Sequence, residues 1–292
     1  LLAQYNGLSL IPEFIDAEGN QMYIETLINM EARRTGLFCA VQEDAHAVAL
    51  TSYQGGHVEY LTYIRQLLDE AGCAHVRIFA GGGGTITPPE IRTLHQSGIE
   101  KIYSPDDGRS MGLMGMIHHL MENASKADLI ADKRLASLEG PVTADDMAKV
   151  GLLMTLSESA SADEFKATLD KVRYSSNDVP VIGFTGTGGA GKSSTVDEIV
   201  RRFLIDFPKK TIGIISVDPS KRKTGGALLG DRIRMNAINN SRVYMRSLAT
   251  RQSNLALSKH VNEAIQVLKA AEYDLIILET SGIGQSDTEI IE

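Results

Sequence analysis

Tryptophan is absent from this chain of 292 residues, cysteine occurs twice, and the three aromatic types together make up only 5%. Cys39 and Cys73 stand far apart with no C-x-x-C spacing, which excludes a disulfide framework and a thiolate zinc site and leaves two reduced thiols in the core or at the surface. No apolar run approaches the roughly 18 residues of a membrane span. The opening Leu1 to Leu10 also lacks the basic flank and small-residue cleavage pattern of a signal peptide. A cytoplasmic protein with no membrane partner is therefore expected. Positive charge is scarce as well: 29 Lys and Arg against 37 Asp and Glu give a formal charge of -8. Such a chain repels a phosphodiester backbone unless a basic stripe reverses the local field. The compact run Lys221-Arg222-Lys223 is too short for that, so nucleic acid is not an expected partner.

What is present is ordinary globular material, 43% hydrophobic and 23% charged, in a length that suits two domains. The chain opens without methionine and stops at Glu292 inside what reads as a nucleotide-binding unit, so a piece of a longer protein is expected. From His46 to Ala124 short apolar runs alternate with helical ones, the pattern of a parallel sheet flanked by helices. Strands are expected at Ala47 to Ser52, Val76 to Ala80 and Ile99 to Tyr103, with helices at Val58 to Ala71 and Pro89 to Gln96. Residues 125–180 read as a helical linker. A second parallel unit, 181–292, follows, with strands Val181 to Thr185, Thr211 to Val217, Val243 to Ser247 and Leu275 to Glu279 and helices Ser193 to Phe207 and Leu255 to Ala271.

The strongest chemical signal is Gly186-Thr187-Gly188-Gly189-Ala190-Gly191-Lys192-Ser193, a G-x-x-x-x-G-K-S phosphate loop between an apolar strand and a helix. Glycines let the backbone N–H groups of Gly188, Gly189, Ala190, Gly191, Ser193 and Ser194 wrap a phosphate, and the helix N-terminus adds a favourable dipole. Lys192 would reach the β and γ phosphates and the Ser193 hydroxyl would ligate magnesium. A metal also needs acidic support at the strand ends. Asp218 follows one strand, and Glu279 ends another, before Thr280. Between them, Gly225 to Arg234 is punctuated by glycines and could close over the γ-phosphate, with Asp231 on metal and Arg234 on phosphate.

The runs GTGGAGKSS, SVDPSKRKTGGALLGDRIRMNAI and ETSGIGQS, within Val181 to Gln285, resemble the G-protein chaperones of cobalamin-dependent acyl-CoA mutases, the methylmalonyl-CoA mutase chaperone group. TSYQGGHVEYL, FAGGGGTITPPEI and GIEKIYSPDDG in the first half resemble a cobalamin-binding domain. That order resembles the mutases of the isobutyryl-CoA type that are fused to their chaperone. The resemblance covers residues 41–292 and implies an α/β architecture: a flavodoxin-like cobalamin-binding domain in residues 1–124, with 1–40 unmatched, then the linker, then the N-terminal part of a P-loop GTPase domain with a mostly parallel sheet. It implies GTP and Mg2+, adenosylcobalamin in the intact protein, a mutase domain acting on acyl-CoA, and a homodimer. Guanine as the base comes from the resemblance alone, and Gln285 is the candidate for orienting water.

A cofactor tail would lie at the strand ends near Ser52, Tyr53, Gly55 and Gly56, and along Gly81 to Gly84, with Gly82 and Gly83 central. The chain departs from the family at the cobalt ligand. No histidine occurs in residues 1–40, and Asp44-Ala45-His46 imitates D-x-H-x-x-G while Ala49 replaces its glycine and a strand follows rather than precedes it. His46 thus reads as a surface or strand-edge residue, and His57 and His118-His119 have no partners at metal-ligand spacing. From the phosphate loop alone, a small-molecule kinase and a binding module without turnover stay open beside the hydrolase.

Overall fold

Apolar strands build two separate sheets, one in each half of the chain. The computed structural model describes residues 8–15, 21–27, 39–53, 55–126, 132–136, 138, 140–172, 178–219, 232, 234–250 and 260–280. The chain divides into two compact units, Leu1–Leu129 and Ile130–Glu292.

In the first unit five strands lie in sequential order: β1 (Leu8–Ile15), β2 (Gln21–Leu27), β3 (Ala47–Thr51), β4 (Arg77–Gly81) and β5 (Lys101–Tyr103). β1 and β2 pair antiparallel, and each later strand runs parallel to its predecessor. This corrects the flavodoxin-like expectation, because that sheet reverses its strand order at a switch point and this one does not. The cause lies in the first forty residues, where two strands that the sequence pattern did not announce extend the sheet, β2 beside β3 and β1 outside β2.

Helices α1 (His57–Glu70) and α2 (Pro88–Gln96) separate the parallel strands, and α3 (Pro105–Ala124) follows β5. The starts of α2 and α3 are encoded locally. The Glu90 carboxylate accepts from the Thr87 N–H and hydroxyl at 2.8 and 2.6 Å, and Asp107 takes the same bonds from Ser104 at 2.8 and 2.7 Å. Prolines occupy the first helical positions, where no N–H is needed. Ala47 and Phe79 pack with Ala124, Leu120 and Met121 of α3, while the alternate residues Val48, Leu50, Ile78 and Ala80 are buried on the opposite face. Cys39 and Cys73 are both buried. So is His46, at 6% exposure, which corrects its surface reading. It stands directly before β3, and its carbonyl accepts from the Arg77 N–H at 3.0 Å, extending the strand ladder.

The second unit holds α4 (Asp132–Ala136), α5 (Met147–Ser159), α6 (Ala162–Val172), β6 (Val181–Phe184), α7 (Lys192–Asp206), β7 (Ile212–Pro219), β8 (Val243–Thr250), α8 (Val261–Ala270) and β9 (Leu275–Glu279). The strands form one parallel sheet in the order β6-β9-β7-β8. Both faces are covered. Ile212, Ile214, Val243, Met245 and Ile277 pack with Val196 and Val200 of α7, and Ile215, Val217, Tyr244, Leu248 and Ile276 pack with α5, α6 and α8. Such double burial explains the near-continuous apolar strands.

The stretch read as a linker is helical but is not a loose connector. Val150, Leu153, Met154, Phe165 and Leu169 share one core with the sheet. Arg246 of β8, 1% exposed, bonds Glu158 of α5 at 2.8 Å. The structural boundary accordingly falls at 129/130. α5 carries apolar residues around much of its circumference, the pattern of a helix covered on several sides. At the sheet edge, β6 leaves Val181 and Ile182 39% and 44% exposed.

Candidate functional site

The site begins with a register. β6 and β9 are neighbours, and Phe184 lies opposite Glu279, so both strands end at the same level. The next residue, Thr280, fastens the two ends: its N–H and hydroxyl donate to the Phe184 carbonyl at 3.0 and 3.3 Å. The chain leaving β6 turns through residues 185–191 and enters α7 at Lys192. Gly191, the N-cap, has φ 87°, a left-handed conformation that a side chain would strain. That turn aims the first residues of α7 at the end of β9.

The Ser193 hydroxyl donates to Glu279 Oε1 at 2.7 Å. Lys192 folds over the loop, its Nζ donating to the carbonyls of Gly186 at 2.8 Å and Thr187 at 3.3 Å. Gly188, Gly189, Ala190 and Ser194 are exposed, whereas Glu279 and Thr280 are only 1% and 2% exposed. A lysine ammonium held on loop carbonyls beside exposed loop backbone can take phosphate oxygens. A serine oxygen beside a buried carboxylate is the hard-oxygen donor set that magnesium prefers. The residues present therefore fit a magnesium nucleotide.

The structure thus gathers Gly188 to Ser194, Glu279 and Thr280. Asp218 lies within β7, in register with Ala249, rather than after the strand as expected, because the β7–β8 ladder continues to Pro219. Arg234 is exposed, two residues before a stretch held against α7. Asp231 and Gln285 fall outside the described residues. One residue escaped the sequence reading: Asp197 of α7 accepts from the backbone N–H groups of Asn236 and Ala237 at 2.8 and 2.7 Å. The available signal was an acid one turn after Ser193, which on a helix surface is too common to single out.

In the first unit, Ser52 and Tyr53 meet Gly82 and Gly83 at the ends of β3 and β4. The Ser52 N–H donates to Gly81 at 2.9 Å, and the Ser52 carbonyl accepts from the Thr85 hydroxyl at 2.9 Å. A Cβ on Gly82 would sit 2.2 Å from that carbonyl oxygen, so only glycine fits there. Gly55 is exposed, and Gly56 caps α1. Tyr53 is 71% exposed beside Gly83. His57 follows Gly56 at the start of α1, but it is 6% exposed and its Nε2 faces the Glu90 carboxylate at 3.2 Å, while His46 lies at the other end of β3, about 20 Å away at 3.3 Å per residue. This edge does not fit a histidine-ligated cobalamin.

Comparison with known proteins places these features in a family. Residues 150–292 match the model of the methylmalonyl Co-A mutase-associated GTPase MeaB. The fused isobutyryl-CoA mutase of Geobacillus kaustophilus is 48% identical over 285 residues, covering 94% of this chain and 25% of that protein. A match of that extent reaches into residues 1–40. The fused isobutyryl-CoA mutase of Cupriavidus metallidurans is 48% identical over 253 residues, 86% of this chain and 23% of that protein. The mitochondrial methylmalonic aciduria type A homolog of Caenorhabditis briggsae is 34% identical over 110 residues, 37% of this chain and 26% of that one. The chain spans about a quarter of the length of the mutase relatives. Over most of its length the chain is a homologue of the fused isobutyryl-CoA mutases, and its residues 150–292 carry the MeaB GTPase domain.

Proposed function

We propose that the second unit binds magnesium GTP and hydrolyses its β,γ bond, as the chaperone domain of a cobalamin-dependent acyl-CoA mutase that interconverts isobutyryl-CoA and butyryl-CoA. The observation that carries this reading is the Ser193–Glu279 contact beside a phosphate loop whose lysine rests on loop carbonyls. On nucleotide binding, Lys192 exchanges those carbonyls for β and γ phosphate oxygens. Ser193 turns its oxygen toward the metal, and Glu279, fixed by the β6–β9 register, supports that position. The N–H groups of Gly188 to Ser194 hold the phosphates. Bound magnesium would supply charge neutralisation as the phosphoryl group transfers. Asp218, Asp231 and Thr280 are assigned to metal support, Arg234 to phosphate, and Gln285 to water.

Guanine as the base is supported by the family match and the names of the relatives. In the intact protein, nucleotide state would be coupled to loading and protection of adenosylcobalamin at a mutase domain. None of that chemistry is assigned to this chain's glycine edge, where His57 is buried against Glu90. No helix among the described residues is long and apolar enough to cross a membrane. A cytoplasmic homodimer is part of the proposal.

Phosphate release by the intact protein tests it. Release from magnesium GTP with no added acceptor, lost in Lys192→Ala together with nucleotide binding by calorimetry, is expected. Release that needs a small-molecule acceptor would make the domain a kinase, and binding without release a module. Equal affinity in wild type and a folded Lys192→Ala would overturn the site itself.

A further inference from the structure

The helix that presents the phosphate loop also holds a second piece of chain. Asp197 follows Ser193 by four residues, so it lies on the same face of α7, about 6 Å further along the axis. Its Oδ1 accepts two consecutive backbone N–H groups, Asn236 at 2.8 Å and Ala237 at 2.7 Å. Independent contacts seat the same stretch. Met235 and Ile238, 2% and 3% exposed, pack in one cluster with Val196 and Val200 of α7, one directly before Asp197 and the other three residues after it. From the other side, the Arg232 guanidinium donates to the Met245 carbonyl of β8 at 2.5 Å.

These contacts do different jobs. Apolar packing holds the stretch against the helix but tolerates sliding along it. A charged oxygen shared by two adjacent amides fixes the position, because such bonds depend steeply on distance and angle. Arg234 lies inside this clamp, exposed, and within about 7 Å of chain from Asn236. The anchor point is one helical turn from Ser193, so the stretch that carries Arg234 is fixed to the helix whose first turn follows the phosphate loop.

We propose that Asp197 is a positioning residue: by fixing residues 236 and 237 on α7, it sets where Arg234 stands relative to the phosphate loop. This rests on the GTPase reading above and deepens it, giving Arg234 its place through a carboxylate that makes no contact with nucleotide.

The test is a double-mutant cycle in the intact protein, with kcat and KM for GTP measured in wild type, Asp197→Ala, Arg234→Ala and the double variant. Asp197→Ala should lower kcat by about tenfold to a hundredfold, the scale of a misplaced group, with KM changed less than about threefold. Asp197→Asn, whose amide oxygen still accepts both bonds, should keep most of the activity. In the Arg234→Ala background the Asp197→Ala loss should vanish, since the two act as one unit. Losses that multiply, or an Asp197→Ala enzyme with wild-type kcat, would overturn the proposal. If Asp197→Ala does not fold, Asp197→Ser replaces it in the cycle. Amide exchange of Asn236 and Ala237 in the nucleotide-free protein is read in parallel. Loss of their protection in Asp197→Ala is expected, and unchanged protection would overturn the clamp whether or not GTP is turned over. A wild type that binds GTP without hydrolysis would count against the hydrolase reading alone. The cycle is then read in GTP affinity, where multiplying losses again overturn the positioning role.

Discussion

Ser193 and Glu279 stand 86 positions apart, and the hydroxyl of one donates to the carboxylate of the other at 2.7 Å. The contact follows from two local facts and one distant one: Gly191 turns α7 toward the sheet, β9 ends at Glu279, and β9 pairs directly with β6. Glu279 is 1% exposed. A buried carboxylate is retained at cost unless something cationic or hydrogen-bonding faces it.

Metal dependence should reveal this pair first. In Ser193→Ala and Glu279→Gln the magnesium concentration for half-maximal GTP turnover should rise about tenfold or more, the usual effect of disturbing a metal's supporting residues. Asp231→Asn should behave likewise. A magnesium titration of turnover in the intact protein is the check, and unchanged curves in Glu279→Gln and Asp231→Asn would remove both from the metal site.

The buried ion pair between α5 and β8 makes a stability prediction. Arg246 is 1% and Glu158 14% exposed at 2.8 Å. Glu158→Ala should destabilise the second unit by about 3 kcal/mol, because it strands a charge in the interior. Replacing both, Glu158→Leu with Arg246→Met, should recover much of that loss. Urea denaturation measures it. A Glu158→Ala protein as stable as wild type would mean that α5 is not integral to this core.

Acid should weaken the start of α3. Burial opposes ionisation of Asp107, but the bond from Lys101 at 2.9 Å and those from Ser104 outweigh it and hold the carboxyl at about 2, below the ordinary 3.8. A lowered folded-state value means that the stabilisation is fully present above about pH 4 and is lost as pH falls toward about 2. The melting temperature of wild type should therefore exceed that of Asp107→Asn at pH 5, with the gap closing by pH 2. A constant gap across that range would remove the charge from the account.

Cobalamin added to this chain should give no histidine-ligated absorption spectrum. His46 is buried before β3, at the far end of that strand from Ser52 and Gly82. A ligated spectrum that disappeared in His46→Ala would reverse this reading.

Much of the site was legible because its signals are short-range. The phosphate loop, the helix it opens and the strand ending at Glu279 each declare themselves within a dozen residues through glycine spacing and apolar runs. Strand ends shifted where pairing, not pattern, set the limit: β7 runs past Val217 to Pro219 because β8 continues beside it. The fold of the first unit was harder. The hairpin Leu8–Ile15 and Gln21–Leu27 carries no strong alternation, and its pairing beside β3 replaced the expected flavodoxin order.

By itself the sequence determined the local chemistry: a loop that can wrap phosphate, a lysine and a serine at its end, capped helices, and strands apolar enough to be covered on both faces. Tertiary structure alone decided which of these meet. It placed β9 beside β6, folded α5 and α6 onto the sheet, buried His46 at the wrong end of β3 for the glycine edge, and gave Asp197 partners 39 and 40 residues away. The physical reason is that strand adjacency and buried polar contacts are set by closing long stretches of chain against one core, an energy shared among many residues and carried by no single window of the sequence.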